Sequence, residues 1–392
     1  MSVAWLKQRS MDRIDHKMKI LHVLEEIRSS GAEVMLQQAL PYFTEAGAES
    51  LILATSCRSR GAFAATLEKA GYIIYHIPLD KRRLPLFLIK FRRLLIQEQI
   101  DIVHIHRESA FFYLALTTLL TGVRVVRTVH NNFQFEGTLR MIRGWQRRGL
   151  ARLGCRYLAI GTSVMENERR RFGIEPILAE NWCDTERFNP AHTTVTREHL
   201  KQQLNLPENA VVLCSVGNCG PAKNHEAIFG ALPRLITKYR NLVYLHIGEE
   251  ESGQPERRLA QFIGVIDHVR FMGRLECPEK YLQIADLFLM PSFYEGFSIA
   301  ALEAVCSECK VLLADSPGLA DWKSWALPNV FYTSTDSGAI ADMVDRALAS
   351  FRRSDPEKFR KLREHYAVAA GSGRYLDIYR ILLAGKQVGK DG

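Results

Sequence analysis

Residues 286–305, DLFLMPSFYEGFSIAALEAV, contain a short apolar run followed closely by the start of an apolar helix. The run DLFLMP (286–291) predicts a buried β-strand, because a strand covered on both faces lacks polar alternation. Ser298 predicts an N-cap that begins the helix near Ile299. A strand followed by a helix is the repeating unit of a parallel sheet, so this stretch indicates an α/β fold.

The loop in this stretch also carries candidate functional groups. A helix start there would expose the backbone amides of Gly296, Phe297 and Ser298, and free amides at a helix N-terminus can bind a diphosphate. Glu295 and Glu303 would then bind sugar hydroxyls, because a carboxylate can accept two hydrogen bonds from a vicinal diol. The spacing of the two glutamates is equally consistent with a second interpretation that has no ligand. In that interpretation Glu303 faces solvent on an amphipathic helix, and Glu295 is an ordinary residue at the end of a loop.

The same alternation of strand and helix runs through the chain. The predicted strands are MKILHVL (18–24), LILAT (51–55), YIIYHI (72–77), DIVHIH (101–106), VRVVRTV (123–129), YLAIGT (157–162), VVLCSVG (211–217), NLVYLHIG (241–248), HVRFMG (268–273), DLFLMP (286–291) and KVLLA (310–314). A polar segment at 186–210 interrupts the pattern. We therefore predict two doubly wound, Rossmann-like domains at 18–190 and 191–392, facing a central cleft, after an N-terminal tail at 1–17.

Composition excludes several classes of protein. A chain of 392 residues exceeds one ordinary core, and its 47% hydrophobic and 24% charged residues exclude disorder. The net charge of +9 favours phosphorylated molecules, anionic lipids or nucleic acid, and charge alone does not choose among them. No apolar run is long enough to span a membrane. The eight cysteines are scattered, which favours reduced thiols in a cytoplasmic protein over a zinc site.

A second junction of strand, loop and helix lies at SVGNCGPAKNHEAIFGAL (215–232). The strand ends at Gly217, and Lys223 precedes the next helix, where its ammonium group could neutralise a phosphate. The junction is neither a Walker loop nor G-x-G-x-x-G, so by itself it is a weak signal.

Histidines mark the ends of two strands in the first half of the chain. His104 and His106 lie in DIVHIH, and His130 follows VRVVRTV. Without other context, a histidine at a strand end is more often a hydrogen-bonded core residue than a ligand. His106 lies nearest the carboxyl end of its strand and is a candidate acceptor-side residue, whereas His104 is expected to be structural.

These pieces together resemble the retaining glycosyltransferases of family 4, which have the GT-B fold. The resemblance rests chiefly on the glutamate pair in FYEGFSIAALEA and on Gly-x-x-x-x-x-Lys-Asn-His at 217–225. Supporting matches, in the right order, are SSGAE (29–33), DIVHIH (101–106), TVHN (128–131) and AENWCDTERFNP (179–190). The resemblance covers almost the whole chain and implies a last helix that packs back on the first domain.

The resemblance implies a role for each matching residue. The implied donor-binding residues are Gly31, Gly217, Lys223, Arg274, Glu295, Gly296, Phe297, Ser298 and Glu303. Lys223 would neutralise the diphosphate, Glu295 would bind the donor sugar and Glu303 the ribose. His130 would lie beside the reacting sugar, so His130 and Glu295 are the implied catalytic residues. The reaction would proceed by front-face attack with retention at the anomeric carbon, and it would need no metal and no cofactor.

Two positions depart from the family pattern. Relatives usually carry an arginine soon after the strand-end glycine, where this chain has Asn218 and Cys219. One expected phosphate cation is therefore missing, and Arg274 is the candidate to compensate for it. The glycine loop reads Ser30-Gly31 where relatives usually have two glycines.

Positive charge clusters in KRRLPLFLIKFRR (81–93) and LRMIRGWQRRGLARLGCR (139–156). Apolar residues among the arginines are typical of a helix on an anionic membrane surface, and equally of an ordinary surface helix with extended arginines. Nucleic-acid binding is not predicted, because no recognition module is found. The expected location is cytoplasmic, peripheral on the inner face of the membrane.

The leading hypothesis is a hexosyltransferase that moves a sugar from a nucleotide-sugar, expected to be UDP-linked, to a glycan or lipid-linked acceptor in polysaccharide or glycolipid biosynthesis. Asn218 motivates one alternative, a catalytically degenerate homologue that binds nucleotide-sugar. A GT-B enzyme of other chemistry, an epimerase or a phosphorylase, is another.

Overall fold

The computed structural model describes residues 17–190, 194–207, 209–351 and 355–385. Two parallel β-sheets, each with helices packed against it, form two domains in series. This confirms the prediction of two doubly wound, Rossmann-like domains. The predicted tail at 1–17 falls outside the described residues except for Lys17, and the domain boundary at 190/191 stays a prediction.

The first sheet has seven parallel strands in the order β3-β2-β1-β4-β5-β6-β7. Its strands are β1 (Met18–Leu24), β2 (Ala48–Ala54), β3 (Ile73–His76), β4 (Ile102–Ile105), β5 (Arg124–Val129), β6 (Arg156–Ala159) and β7 (Ile177–Leu178). Its helices are α1 (Gly31–Glu45), α2 (Ala64–Ala70), α3 (Leu84–Gln97), α4 (Phe111–Leu120), α5 (Gly137–Arg152) and α6 (Thr162–Phe172). The central strands are buried almost throughout, as their apolar sequences require.

The second sheet has six parallel strands in the order β10-β9-β8-β11-β12-β13. Its strands are β8 (Val211–Val216), β9 (Leu242–Ile247), β10 (Val269–Phe271), β11 (Leu287–Met290), β12 (Val311–Ala314) and β13 (Val330–Thr333). The helices from the second half are α7 (Thr194–Gln203), α8 (His225–Lys238), α9 (Pro255–Ile263), α10 (Glu279–Ile284), α11 (Ile299–Cys306), α12 (Ser337–Ala349), α13 (Pro356–Tyr366) and α14 (Val368–Ala384).

The last helix, α14, returns to the first domain and packs against α1. Gly371 of α14 lies so close to Trp182 that a Cβ there would collide with the indole ring. Tyr375 and Tyr379 are buried in one apolar cluster with side chains of β1, β2 and α1. The strand order places the carboxyl ends of β1, β4 and β5 side by side in one sheet, and those of β8 and β11 side by side in the other.

Candidate active site

An ion pair joins the two strand-end loops of the second domain. Lys223 lies in a single 3-10 turn at 221–223 after β8, and Glu295 lies in the loop after β11. Lys223 Nζ is 2.8 Å from Glu295 Oε1, and both side chains are partly exposed, by 29% and 15%. A Cβ on Gly217 would lie 3.5 Å from Lys223 Cε, so Gly217 lies beside the lysine side chain. Three predicted donor-binding residues are thus neighbours.

The helix start predicted at Ser298 is present. Ser298 Oγ accepts a hydrogen bond from the Ala301 N–H at 3.1 Å, and α11 begins at Ile299. Among the described residues, the backbone N–H groups of Gly296, Phe297 and Ser298 have no hydrogen-bond acceptor. Together with the helix dipole, these amides provide a site that favours an anion.

The first domain contacts this loop directly. Asn132 Nδ2 donates to the Glu295 carbonyl at 2.7 Å. Gly296 lies against the His130 carbonyl, with no room for a Cβ, and a Cβ on Gly31 would lie 2.7 Å from Ile299 Cδ1. Both glycines therefore allow the two domains to approach each other, a packing role beside the ligand role that the resemblance implies.

A chain of three histidines extends inward from His130. His130 Nε2 is 3.1 Å from His106 Nδ1, and His106 Nε2 is 3.1 Å from His22 Nδ1 in β1. The remaining nitrogen of His22, Nε2, is buried and has no hydrogen-bond partner among the described residues. Because both ring nitrogens of His106 are used in the chain, a direct hydrogen bond from His106 to an acceptor would require one of these contacts to break.

His104 occupies a different position. It is fully buried, and its two ring nitrogens lie 2.6 Å from Tyr379 Oη and 2.6 Å from Thr128 Oγ1. These contacts connect β4 and β5 to α14, which agrees with the structural role expected for His104.

The histidine chain is uncharged. Burial, with a smaller contribution from Arg127, lowers the pKa of His130 to about 3. Burial lowers the pKa of His22 to about 3, and burial with the neighbouring His104 lowers that of His106 far below its usual value. Neutral imidazoles can donate one hydrogen bond and accept one, so His130 can bind a sugar hydroxyl without introducing a charge.

Glu303 lies on α11, one turn after its start, and its side chain is half-buried. Burial raises its pKa to about 8; Arg187 acts against this shift and Glu279 adds to it. Arg187 is itself paired with Glu279, with Nη2 and Oε2 2.8 Å apart. The Glu303 carboxyl is therefore mostly protonated at neutral pH, a state that can donate a hydrogen bond to a hydroxyl as well as accept one.

Arg274 bridges the domains. Its guanidinium donates to the Ser29 carbonyl at 2.6 Å and lies 3.3 Å from Glu249 Oε1. The neighbouring Asn218 accepts a hydrogen bond from the Glu249 N–H at 3.0 Å. Arg274 is thus engaged with a carboxylate and the first domain, and its compensation for the missing arginine stays a prediction.

Two described groups in the site were not among the predicted residues. His22 stands out in the sequence as a polar residue within the buried strand MKILHVL, and that signal could have indicated a functional or hydrogen-bonded group. Asn132 carries no such signal, because its partner is a carbonyl 163 residues away.

Two family models match the chain along most of its length. Residues 29–187 match the model described as Glycosyltransferase Family 4, and residues 196–364 match Glycosyl transferases group 1. With two Rossmann-like domains and the site between them, the protein is a glycosyltransferase of the GT-B class. More specifically, the chain belongs to glycosyltransferase family 4.

Relatives and solved structures are similar over most of the chain. A GDP-mannose-dependent alpha-(1-6)-phosphatidylinositol monomannoside mannosyltransferase of Mycobacterium tuberculosis is 26% identical, over 76% of this chain and 82% of its own length. A UDP-Gal:alpha-D-GlcNAc-diphosphoundecaprenol alpha-1,3-galactosyltransferase of Escherichia coli is 26% identical, over 74% and 77%. The crystal structure of Anabaena HepE in complex with UDP aligns with a TM-score of 0.76 and 17% identity, over 92% and 99%, which shows the common fold.

Proposed function

We propose that this enzyme transfers a hexosyl group from a nucleoside-diphosphate sugar to a glycan or lipid-linked acceptor, with retention at the anomeric carbon, in polysaccharide or glycolipid biosynthesis. The observation that carries the proposal is the Lys223–Glu295 pair beside the free amides at the start of α11. The printed activities of two relatives support a nucleotide-sugar donor, GDP-linked in one and UDP-linked in the other. We keep a UDP-sugar as the first donor to test.

The proposed chemistry assigns different work to each group. Negative charge grows on the diphosphate as the glycosidic bond breaks, and the Lys223 ammonium and the amides of 296–298 stabilise that charge. With phosphate as the new partner of Lys223, the Glu295 carboxylate becomes free to bind donor-sugar hydroxyls. His130 would hydrogen-bond the same sugar as a neutral group. A leaving-phosphate oxygen would accept the proton of the attacking hydroxyl, so no metal or cofactor is assigned to the reaction.

A donor panel tests the proposal. The full chain would be incubated with UDP-glucose, UDP-galactose, UDP-N-acetylglucosamine and GDP-mannose, with and without a polyprenyl-diphosphate-linked sugar. We expect release of one nucleoside diphosphate and a product whose anomeric configuration, read by NMR, matches the donor. An inverted product would contradict retention. Absence of both binding and turnover for every donor would contradict the function itself, and an acceptor-independent change in the sugar would favour an epimerase.

We also propose that the first domain docks on an anionic bilayer. Helices α3, α4 and α5 pack side by side. Apolar side chains exposed on them are Leu86, Ile89, Ile96, Tyr113, Leu120, Leu139, Met141, Ile142 and Trp145. Exposed cations in α3 and α5 supply charge complementarity to anionic headgroups. Two members of the predicted amphipathic segment are buried instead, since Arg147 pairs with Glu168 at 2.8 Å and Leu150 lies in the core.

None of the described helices is both long and apolar enough to cross a bilayer. Vesicle sedimentation would test surface binding, with phosphatidylglycerol vesicles compared with phosphatidylcholine vesicles. We expect binding to phosphatidylglycerol that Trp145→Ser weakens severalfold. Phe262→Ser is the matched control, because Phe262 is 90% exposed in the second domain. Equal binding to both lipids, or equal loss in both variants, would contradict docking through this face.

A further inference from the structure

Beside the loop that carries Lys223, three side chains form what we call the Cys-His-His cluster: Cys219, His225 and His246. Cys219 follows β8, His225 is the first residue of α8, and His246 is the penultimate residue of β9. One ligand atom from each lies within 4.8 Å of the other two. Cys219 Sγ is 3.2 Å from His246 Nε2, and the two imidazole centroids are 4.5 Å apart.

Two buried polar atoms at the cluster have no partner. His225 is 5% exposed, and its Nδ1 makes no hydrogen bond with any described residue. Glu256 is 7% exposed, its side chain lies beside the Cys219 thiol, and its Oε2 also has no partner within the described chain. Buried polar atoms in folded proteins are nearly always bound to a protein group, a water or an ion, so both atoms are available to a further partner at the point where the three ligand atoms converge.

A second group of three histidines, His22, His104 and His106, has similar spacing but different bonding. Both nitrogens of His104 and both nitrogens of His106 already have hydrogen-bond partners. Those rings therefore have no nitrogen available for a metal without loss of an existing contact. His246 also has both nitrogens engaged, with Nδ1 3.3 Å from Ser215 Oγ, but its Nε2 contacts only Cys219, another member of the cluster. A metal ion can replace that contact without the loss of a partner outside the cluster, and His225 Nδ1 has no partner among the described residues.

We propose that the Cys-His-His cluster binds one Zn²⁺ ion, and that the Glu256 carboxylate, which lies beside Cys219 but outside the 4.8 Å group, turns in as the fourth ligand. A thiolate, two imidazoles and a carboxylate form a ligand set that suits zinc. Zinc–sulfur and zinc–nitrogen bonds of about 2.3 and 2.0 Å place tetrahedral ligand atoms about 3.5 Å apart. The Cys219 Sγ–His246 Nε2 distance of 3.2 Å is close to this value, and the other distances lie within 4.8 Å. On binding, the Cys219 thiol becomes a thiolate and its proton passes to solvent.

Such an ion would be structural, since none of its ligands is among the proposed catalytic or donor-binding groups. It would fasten the loop after β8 to α8 and β9, and so hold the segment from Gly217 to Lys223 in place. Cys219 and Asn218 occupy the turn where relatives usually carry an arginine. With the Cys219 thiolate and the Glu256 carboxylate as ligands the site would carry no net charge, so the ion would order this turn without replacing the missing positive charge. The inference does not depend on the proposed sugar transfer.

Cobalt substitution tests the site with a readout independent of activity. The purified full chain would be stripped with a chelator, dialysed and titrated with Co²⁺ alone. A thiolate ligand produces charge-transfer absorption in the near ultraviolet, and tetrahedral coordination produces intense visible bands. We expect both to saturate at one equivalent and to disappear when Zn²⁺ is added. Absence of these bands in the wild-type chain would overturn the proposal and leave the Cys219–His246 contact as an ordinary hydrogen bond.

Matched variants locate the ion. Cys219→Ser should abolish the charge-transfer band, whereas Cys277→Ser, which removes an exposed free thiol, should leave it unchanged. His246→Ala should weaken Zn²⁺ binding by at least the about 10- to 100-fold known for loss of a metal's outer-shell partner. Circular dichroism would establish that each variant is folded. A band that persists in Cys219→Ser, or Zn²⁺ binding that is unchanged in His246→Ala, would contradict the assignment.

Discussion

The two domains present opposite kinds of chemistry at the candidate active site. The second domain presents a partly exposed ion pair, Lys223 with Glu295, beside free amides. The first domain presents His130, the outer end of a buried chain of neutral imidazoles. Charge is useful where a diphosphate leaves, and neutral hydrogen-bonding groups suffice where an uncharged sugar lies. In the proposed mechanism, the second domain would therefore contribute mainly charge stabilisation and the first domain mainly positioning.

Removal of the Lys223 charge should lower enzyme activity more than any of the other proposed substitutions. Lys223→Ala removes the phosphate cation and leaves the Glu295 carboxylate without its ion-pair partner. We expect kcat/KM for the donor to fall about 10²- to 10³-fold, with both kcat and donor affinity reduced, because the charge it stabilises grows in the transition state. Steady-state kinetics with the best donor of the panel would measure this.

Lys223→Arg is the matched control, since it keeps the positive charge, and it should retain more activity than Lys223→Ala. If the alanine variant changed KM alone, the lysine would act only in ground-state binding, and the contrast between the two domains would fail.

Substitutions of the neutral histidines of the first domain should lower kcat by smaller factors. We expect His130→Ala to lower kcat about 10- to 100-fold, which is about 1.4 to 2.7 kcal/mol of transition-state stabilisation. His106→Ala should lower kcat by a smaller factor, because His106 positions His130 and does not need to touch the sugar. Steady-state kinetics would measure both, and His106→Gln, which can still donate and accept, should restore part of the loss.

The pH profile separates positioning from general structural damage. Because the pKa of His130 is about 3, wild-type kcat/KM should show no His130 limb between pH 5 and 8. Water entering the space left in His106→Ala should raise the pKa of His130 toward its usual value and create an acid limb. A variant that loses activity with an unchanged pH profile would indicate a structural role only.

The raised pKa of Glu303 predicts that the stability of the protein depends on pH. Its pKa is about 8 in the folded chain and about 4.5 when unfolded, so folding favours the protonated form. This stabilisation is fully present below about pH 4.5 and is lost as pH rises through 8. Glu303→Gln does not titrate, so its melting temperature relative to wild type should increase between pH 5 and 8.5. Identical pH dependence of the two proteins would contradict the shifted pKa.

The ribose assignment makes a kinetic prediction for the same residue. Glu303→Ala should chiefly raise the donor KM and leave kcat nearly unchanged, since ribose does not react. A defect confined to kcat would contradict that assignment.

Asn218→Arg should have the smallest effect. Asn218 is exposed, and an exposed charge contributes about 1 kcal/mol or less, so we expect activity to change by less than about fivefold. Loss of its hydrogen bond from the Glu249 N–H would offset part of any gain. Donor kinetics would measure the change. A large rise from near-zero activity would instead favour the degenerate-homologue alternative.

Much of the fold follows from local sequence patterns. All eleven predicted strands coincide with observed strands, because runs of β-branched and aliphatic residues between helical segments specify buried parallel strands. Two strands were not predicted. β7 has only two residues, and β13 has four residues that are mostly half-buried, without a continuous buried apolar run. The start of α11 was predictable for the same local reason, since Ser298 caps it through its own side chain.

Contacts between distant segments were not predictable in this way. The sequence placed Lys223 and Glu295 on separate loops, and only the adjacency of β8 and β11 brings them to 2.8 Å. The pattern of segment 139–156 predicts a basic amphipathic or ordinary surface helix with exposed arginines, yet Arg147 is buried and pairs with Glu168 on the neighbouring helix.

The sequence by itself determined the two α/β domains, the capped helix start and the residues with the right chemistry, because each depends on neighbours within a few positions. The tertiary structure decided which of these groups meet. It decided that Gly296 presses against the His130 carbonyl, that His22 ends the histidine chain, and that Cys219, His225 and His246 converge. Burial and pairing, which set the charge of each group, depend on segments far apart in the chain and arise only on folding.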